Sequence, residues 1–261
     1  MIYNTCINIL SIDNLSNYLN SDLLNELYFI PKKVDKKLIN KILNNPEYVE
    51  KVNRTINLYK NLSLEKFISD KIANFELDTC QRIESFKIYL IIGLDTTTIY
   101  SFKYKGEDVS VLLLEAIDGN MEKLDILLAH EFTHWIRKQS FQKDIFEKSL
   151  GERFIVEGIG CNYSREIVHD KKDCEYCLVN DSVVTWVKNN IDKVEEKMMG
   201  HLETNELMSD FFYMFADTRI TKMPARAGYV YGYLKVKDYL EKNNLRIRDI
   251  INKDWKEILI F

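Results

Sequence analysis

The stretch LLAHEFTHWI, residues 127–136, decides the class of this chain because it holds two of the four histidines one helical turn apart. Residues 121–139 around it carry apolar side chains at three- and four-residue spacing, which predicts a helix. On such a helix His130 and His134 lie on one face, so their ring nitrogens can converge on one ion. The stretch therefore predicts a metal-binding helix.

A glutamate stands between the two histidines. Catalytic zinc takes three protein ligands and leaves its fourth position to water. Glu131 directly follows the first histidine, and from there its carboxylate can reach that water without binding the metal. This is the arrangement of a general base that acts on a zinc-activated water.

The third ligand is not a nearby histidine. The HExxHxxGxxH pattern would need glycine and histidine where the chain has Arg137 and Ser140. Glu157, in the stretch ERFIVEGIG at residues 152–160, is a better candidate. It would project from the middle of a second helix that crosses behind the first.

Glu152 competes with Glu157 because it belongs to the same predicted helix. An acid in a first turn more often serves the helix N-terminus, so the sequence favours Glu157 and leaves Glu152 as the alternative. Gly158 and Gly160 add no side-chain bulk next to Glu157, which allows close approach of another helix or of substrate.

The order of elements along the chain predicts the fold class α+β. Residues 1–85 form a short strand followed by an N-terminal, mainly helical layer without a clear boundary. Residues 86–261 form the main domain, with a small mixed sheet and a mainly helical C-terminal part. Strands are predicted over 1–10, 86–94, 97–106 and 109–116, and helices over 13–80, 121–139, 151–168, 181–198, 204–217 and 226–243.

Composition excludes several classes of function. A net charge of −4 gives no electrostatic reason to expect nucleic acid or an anionic membrane as a partner. The N-terminus has no signal-peptide pattern and no stretch reaches 18 apolar residues, so a cytoplasmic protein is expected. Five scattered cysteines favour reduced thiols over a disulfide framework.

HEFTHW followed by ERFIVEGIG resembles the gluzincin metallopeptidases, in which an HExxH helix is joined by a glutamate from a downstream helix. Together with MPARAGYVYGYLKVKDYLEKNN at 223–244, it is similar to the bacterial peptidase-MA-like and DUF2268 predicted Zn-dependent proteases. The resemblance covers roughly residues 110–245. It implies a zincin-like fold and one catalytic Zn²⁺ held by His130, His134 and Glu157, with Glu131 as general base.

The same resemblance implies that Tyr229 stabilises the oxyanion, a role that suits a phenol donor. Arg226 and Tyr233 are the alternatives. Many gluzincins also carry an acid four residues after the glutamate ligand, where this chain has Cys161. We therefore expect the groups that orient the ligands to come from elsewhere, from Asp210 or Asp217.

Two other features leave alternatives open. The strand over 109–116 is either an edge strand that pairs with extended substrate or a buried central strand. The stretch CNYSREIVHDKKDCEYC supplies Cys161, His169, Cys174 and Cys177, which either hold a structural zinc or remain unlinked thiols.

The sequence thus predicts a zinc-dependent peptidase that acts on a peptide or protein substrate. The alternative is a zincin-like peptide-binding or regulatory module with a structural or degenerate metal site. The absence of an acid at residue 161 and the unmatched N-terminal layer motivate that alternative.

Overall fold

A computed structural model of the chain describes residues 2–4, 44–60, 63–84, 87–91, 99–104, 106–113, 117, 119–141, 148–204 and 223–259. The chain divides into two compact units. The first comprises residues 1–73 and 84–124, and the second comprises residues 74–83 and 125–261. The predicted division into residues 1–85 and 86–261 stays a prediction.

Two helices precede the sheet strands of the middle region. Helix α1 spans Pro46–Lys60 and helix α2 spans Leu64–Thr79. Proline suits the first helical position because the amide hydrogen that it lacks would have no partner there. The part of the predicted helical region that is described is therefore helical, while residues 13–43 lie outside the described residues.

The strands are β1 (Ile2–Asn4), β2 (Ile88–Ile91), β3 (Ile99–Tyr104) and β4 (Glu107–Leu113). In the described part of the chain they form one mixed sheet in the order β1-β2-β4-β3. β1 and β4 both run parallel to β2, and β3 runs antiparallel to β4.

Strand β4 answers one question that the sequence left open. It pairs with β2 on one side and β3 on the other, so its backbone is occupied by the sheet itself. Residues 109–113 are all buried, as expected of a strand covered on both faces. The prediction of a buried central strand is confirmed, and the prediction of an edge strand is wrong.

The rest of the described chain is helical, which gives the class α+β. The helices are α3 (Met121–Phe141), α4 (Leu150–Ile167), α5 (Asp173–Tyr176), α6 (Asp181–Asn189), α7 (Ile191–Met198), α8 (Ala227–Asn243), α9 (Ile247–Ile250) and α10 (Trp255–Ile258). None of the described helices combines the length and the apolar character that crossing a bilayer requires. Most of the predicted helix over 204–217 lies outside the described residues.

Helix α4 is the buried centre of the second unit. Every residue from Leu150 to Ser164 is buried, and Ser149 caps the helix by accepting a hydrogen bond from the Glu152 amide. Helix α8 packs closely against it. A Cβ on Gly158 would lie 2.3 Å from the carbonyl oxygen of Gly232, so the two backbones touch where neither residue has a side chain.

Candidate metal centre

Helix α3 carries the two histidines in the second unit. Leu127, Leu128 and Phe132 are almost completely buried and hold the other faces of the helix. His130 is only 5% exposed, whereas His134 is half-buried. A well-packed helix fixes its side chains, so the two rings have little freedom to separate.

The two rings meet the carboxylate of Glu157 from helix α4. His130 Nε2 lies 3.0 Å from Glu157 Oε2, and His134 Nε2 lies 3.5 Å from the same oxygen. The ring centroids are 4.6 Å apart and the ring planes stand at 86°. In the described part of the chain these three residues form a group whose ligand atoms all lie within 4.8 Å of one another.

This geometry fits zinc. Tetrahedral ligands bound at about 2.0–2.1 Å stand about 3.3 Å apart, and the distances from the Glu157 oxygen to the two ring nitrogens bracket that value. Two imidazole nitrogens and one carboxylate oxygen are also the donor set of many catalytic zinc sites. The side chains therefore need no large rearrangement to hold the ion.

The same contacts shift the pKa values of His130 and Glu157. Burial disfavours a charged His130, but hydrogen bonds to Cys161 and Glu157 outweigh it and raise the pKa of the ring to about 9. Burial also disfavours the charged Glu157, yet the charge of His134 and hydrogen bonds from both rings hold the pKa of this carboxyl well below its usual range.

Glu152, the competing ligand, is engaged elsewhere. Arg137 donates to its carboxylate from Nη2 at 2.6 Å and from Nε at 3.2 Å. The Arg137 side chain is fully buried, so this ion pair is shielded from water. The structure brings Glu157 to the histidines and directs Glu152 to an arginine.

Glu131 lies in the same turn as the two histidines. It is 2% exposed and does not belong to the group of three converging ligand atoms. A carboxylate held beside a metal group without joining it suits proton transfer.

Tyr229 lies in the first turn of α8 and forms a hydrogen bond with Glu157. Burial of the hydroxyl, followed by the nearby charge of Glu157, raises the pKa of Tyr229 well above its usual value, so the phenol keeps its proton. The guanidinium carbon of Arg226 lies 5.3 Å from the centre of the Tyr229 ring. Tyr233 instead donates to Asp173 at 2.6 Å.

Cys161 is the residue whose place sequence reasoning missed. Its Sγ lies 3.9 Å from His130 Nδ1, and its side chain is fully buried. The sequence analysis expected the orienting groups to come from elsewhere and did not predict this contact. The usable signal was the spacing, because the fourth residue after Glu157 faces the same way on a helix.

His134 differs from His130 in its second nitrogen. Its Nδ1 is buried and has no hydrogen-bond partner within the described ranges. Asp210 and Asp217, the predicted candidates for this role, lie outside the described residues.

The cysteines and the histidine of the stretch CNYSREIVHDKKDCEYC, which begins within α4, do not converge on one point. His169 is exposed, Cys174 is half-buried, and Cys161 and Cys177 are fully buried. Across the residues that the structure describes, none of these four joins a convergent ligand group. The prediction of unlinked thiols fits this arrangement.

Comparison with known proteins gives a family match. The model of the DUF2268 family, described as a predicted Zn-dependent protease, matches residues 68–260, which is more than half of the chain. Neither a curated protein nor a solved structure matches the chain.

Proposed function

This chain belongs to the DUF2268 family of predicted Zn-dependent proteases, and from that membership we propose that it is a gluzincin-type peptidase with a zincin-like catalytic fold. The observation that carries the proposal is the convergence of His130, His134 and Glu157 from two buried helices. The proposed reaction is hydrolysis of a peptide bond in a peptide or protein substrate. The cytoplasmic location stays a prediction of the sequence.

We propose that His130, His134 and Glu157 hold one Zn²⁺. The bound ion would act as a Lewis acid and lower the pKa of a water molecule towards neutrality. The residues themselves contribute a fixed cradle, in which Glu157 faces both ring nitrogens from the neighbouring helix. A rigid cradle of three protein ligands would favour one ligand geometry and would leave one position of the ion to water.

Glu131 is the proposed general base. It would take a proton from the attacking water and return it to the amine that leaves when the peptide bond breaks. Its burial beside the histidines excludes bulk water from this transfer, which strengthens electrostatic interactions at the site.

Tyr229 is the proposed oxyanion donor. Its raised pKa keeps the hydroxyl protonated, so it can donate a hydrogen bond to the negative oxygen that develops during hydrolysis. In the structure this hydroxyl forms a hydrogen bond with Glu157. Its donation would therefore move from the carboxylate to the substrate oxygen when substrate binds.

The test is the substitution Glu131→Gln. We expect the variant to bind zinc like the unchanged protein and to lose at least about 100-fold in peptide cleavage, since a proton-transfer group contributes about 10²–10⁴-fold. Zinc content is measured by atomic absorption, and cleavage with a fluorogenic peptide library. Glu122→Gln changes an exposed glutamate in the first turn of the same helix, and as the control it should leave both quantities unchanged.

Each outcome separates the proposal from the binding-module alternative. A Glu131→Gln variant that cleaves as fast as the parent would refute the role of Glu131. A parent protein that holds zinc with a fourth protein ligand and cleaves no peptide in the library would refute the peptidase and favour the binding module.

A further inference from the structure

The two histidines of the candidate centre are held differently on the side away from the metal. His130 presents Nε2 to Glu157 and Nδ1 to the sulfur of Cys161. His134 also presents Nε2 to Glu157, but its Nδ1 has no partner among the described residues. Both ring nitrogens of His130 therefore have a hydrogen-bond partner, and Cys161 is the partner of Nδ1.

Helix α4 is shaped to receive the Nδ1 edge of His130. A Cβ on Gly160 would lie 2.8 Å from Nδ1, so the ring fits against the helix only because this residue is glycine. Cys161 follows directly and is fully buried. The absence of bulk at one residue and the sulfur at the next together define a seat for this edge of the ring.

We infer that Cys161 is a positioning residue, whose sulfur accepts the Nδ1 hydrogen of His130 and holds the ring in the tautomer that leaves Nε2 free for zinc. The inference rests on the proposed binding of zinc at this site, and it does not depend on the proposed hydrolysis of peptide bonds. A neutral imidazole carries its hydrogen on one nitrogen or the other, so a fixed acceptor at Nδ1 selects the metal-binding form. A thiol thereby does the work that an acid at this spacing would do.

A carboxylate and a thiol would not act equally. A carboxylate is a charged acceptor that strengthens its hydrogen bond and makes the ligand more basic, whereas thiol sulfur is a weak, neutral acceptor. The centre of this protein should consequently hold zinc less tightly than one with an acid at residue 161.

The experiment compares Cys161→Ala with Cys177→Ala. Cys177 is the matched control because it is an equally buried free cysteine whose thiol forms a hydrogen bond with Cys161 and not with the histidine. Zinc affinity is measured by competition with a chromogenic chelator. We expect Cys161→Ala to weaken binding about tenfold, at the lower end for residues that orient ligands, and Cys177→Ala to stay within about threefold of the parent.

A second measurement follows the histidine itself. Long-range ¹H–¹⁵N spectra of the zinc-loaded protein report the Nδ1 resonance of His130, which should shift in Cys161→Ala and stay in place in Cys177→Ala. Should the alanine variant fail to fold, Cys161→Ser replaces it, because exchange of sulfur for oxygen also shifts this resonance. An unmoved Nδ1 resonance, or equal affinity losses in the two alanine variants, would overturn the inference.

Failure here and failure of the peptidase proposal are distinguishable. If the parent binds zinc but cleaves no peptide while the affinities follow the expected order, the role of Cys161 stands and the peptidase falls. If Glu131→Gln behaves as expected while Cys161→Ala retains both parent affinity and Nδ1 resonance, the reverse holds.

Discussion

Helices α3 and α4 meet through two contacts between basic and acidic side chains, and the two contacts differ in their chemistry. Near the start of α4, Glu152 faces Arg137, and five residues later Glu157 faces His130 and His134. Both are buried contacts between a basic side chain of α3 and a glutamate of α4.

The difference lies in what the basic partner can release. An arginine guanidinium keeps its charge in proteins, and Arg137 Nη1 also donates to the carbonyl oxygens of Ile251 and Lys253. The contact between Arg137 and Glu152 therefore needs no metal ion to complete it. Imidazoles can give up their protons, so the contact at Glu157 can exchange a proton for a metal ion. Helices α3 and α4 are thus joined by the Arg137–Glu152 ion pair, which we call the clamp, and by the contact of Glu157 with the two histidines, where a metal ion can replace a proton.

The largest effect is expected from breaking the clamp. Arg137→Met should lower the free energy of unfolding by about 3–5 kcal/mol, because it leaves Glu152 as a buried charge without its partner. Urea unfolding of the metal-free protein measures the change. Zinc affinity of the variant, measured where it is still folded, should stay close to that of the parent.

The matched control for Arg137 is Arg165. It also joins a glutamate, Glu241, but at 3.7 Å and with both side chains largely exposed. Exposed pairs contribute about 0–1 kcal/mol, so Arg165→Met should alter unfolding by no more than that. Equal destabilisation by the two substitutions would remove the distinction between a buried clamp and an ordinary surface pair.

The second effect concerns the exchangeable contact. Glu157→Gln should weaken zinc binding by more than about 100-fold, which exceeds the range for residues that only orient ligands. Glu152→Gln is the partner substitution, and it should keep zinc while reducing stability. Isothermal titration with zinc decides between them, and the opposite pattern would make Glu152 the ligand.

The smallest effect is a pH dependence of metal binding. The pKa of His130 is raised to about 9 in the metal-free protein, so below that pH the ring carries a proton that zinc must displace. The sign is therefore an affinity that rises with pH, by about tenfold per unit between pH 6 and 8. The same raised pKa stabilises the metal-free fold below pH 6.5, and this contribution is lost as pH rises through about 9.

Titration of zinc in two buffers of different ionisation enthalpy measures the released proton. A binding heat that is independent of the buffer would show that His130 is already neutral.

Local spacing predicted the helix of the candidate centre well. Apolar residues at helical period and the positions of His130 and His134 concern neighbours within one or two turns, where sequence distance and spatial distance agree. The predicted helix over 121–139 is confirmed as Met121–Phe141. The preference for Glu157 over Glu152 rested on a similar local argument about helix position, and its role as a ligand stays a prediction.

Contacts between distant parts of the chain were not predictable in this way. The seat of His130 against Gly160 and Cys161 depends on how α4 crosses α3, and no spacing within either helix specifies that crossing. The carbonyls that Arg137 binds come from more than a hundred residues away. The pairing of β4 with both β2 and β3 likewise depends on sheet order, which the apolar run of β4 does not encode.

The contact between Gly158 and Gly232 has a mechanical meaning for the whole centre. A Cβ on Gly232 would lie 2.0 Å from the carbonyl oxygen of Phe154, so the separation of α4 and α8 is set by hydrogen atoms alone. Glu157 stands next to this crossing on one helix, and Tyr229 stands one turn away from it on the other. Because neither glycine leaves room for a side chain, a methyl group added at Gly158 or Gly232 would push α4 and α8 apart. The Tyr229 hydroxyl would then move away from the Glu157 carboxylate, although neither of these two residues would have been substituted.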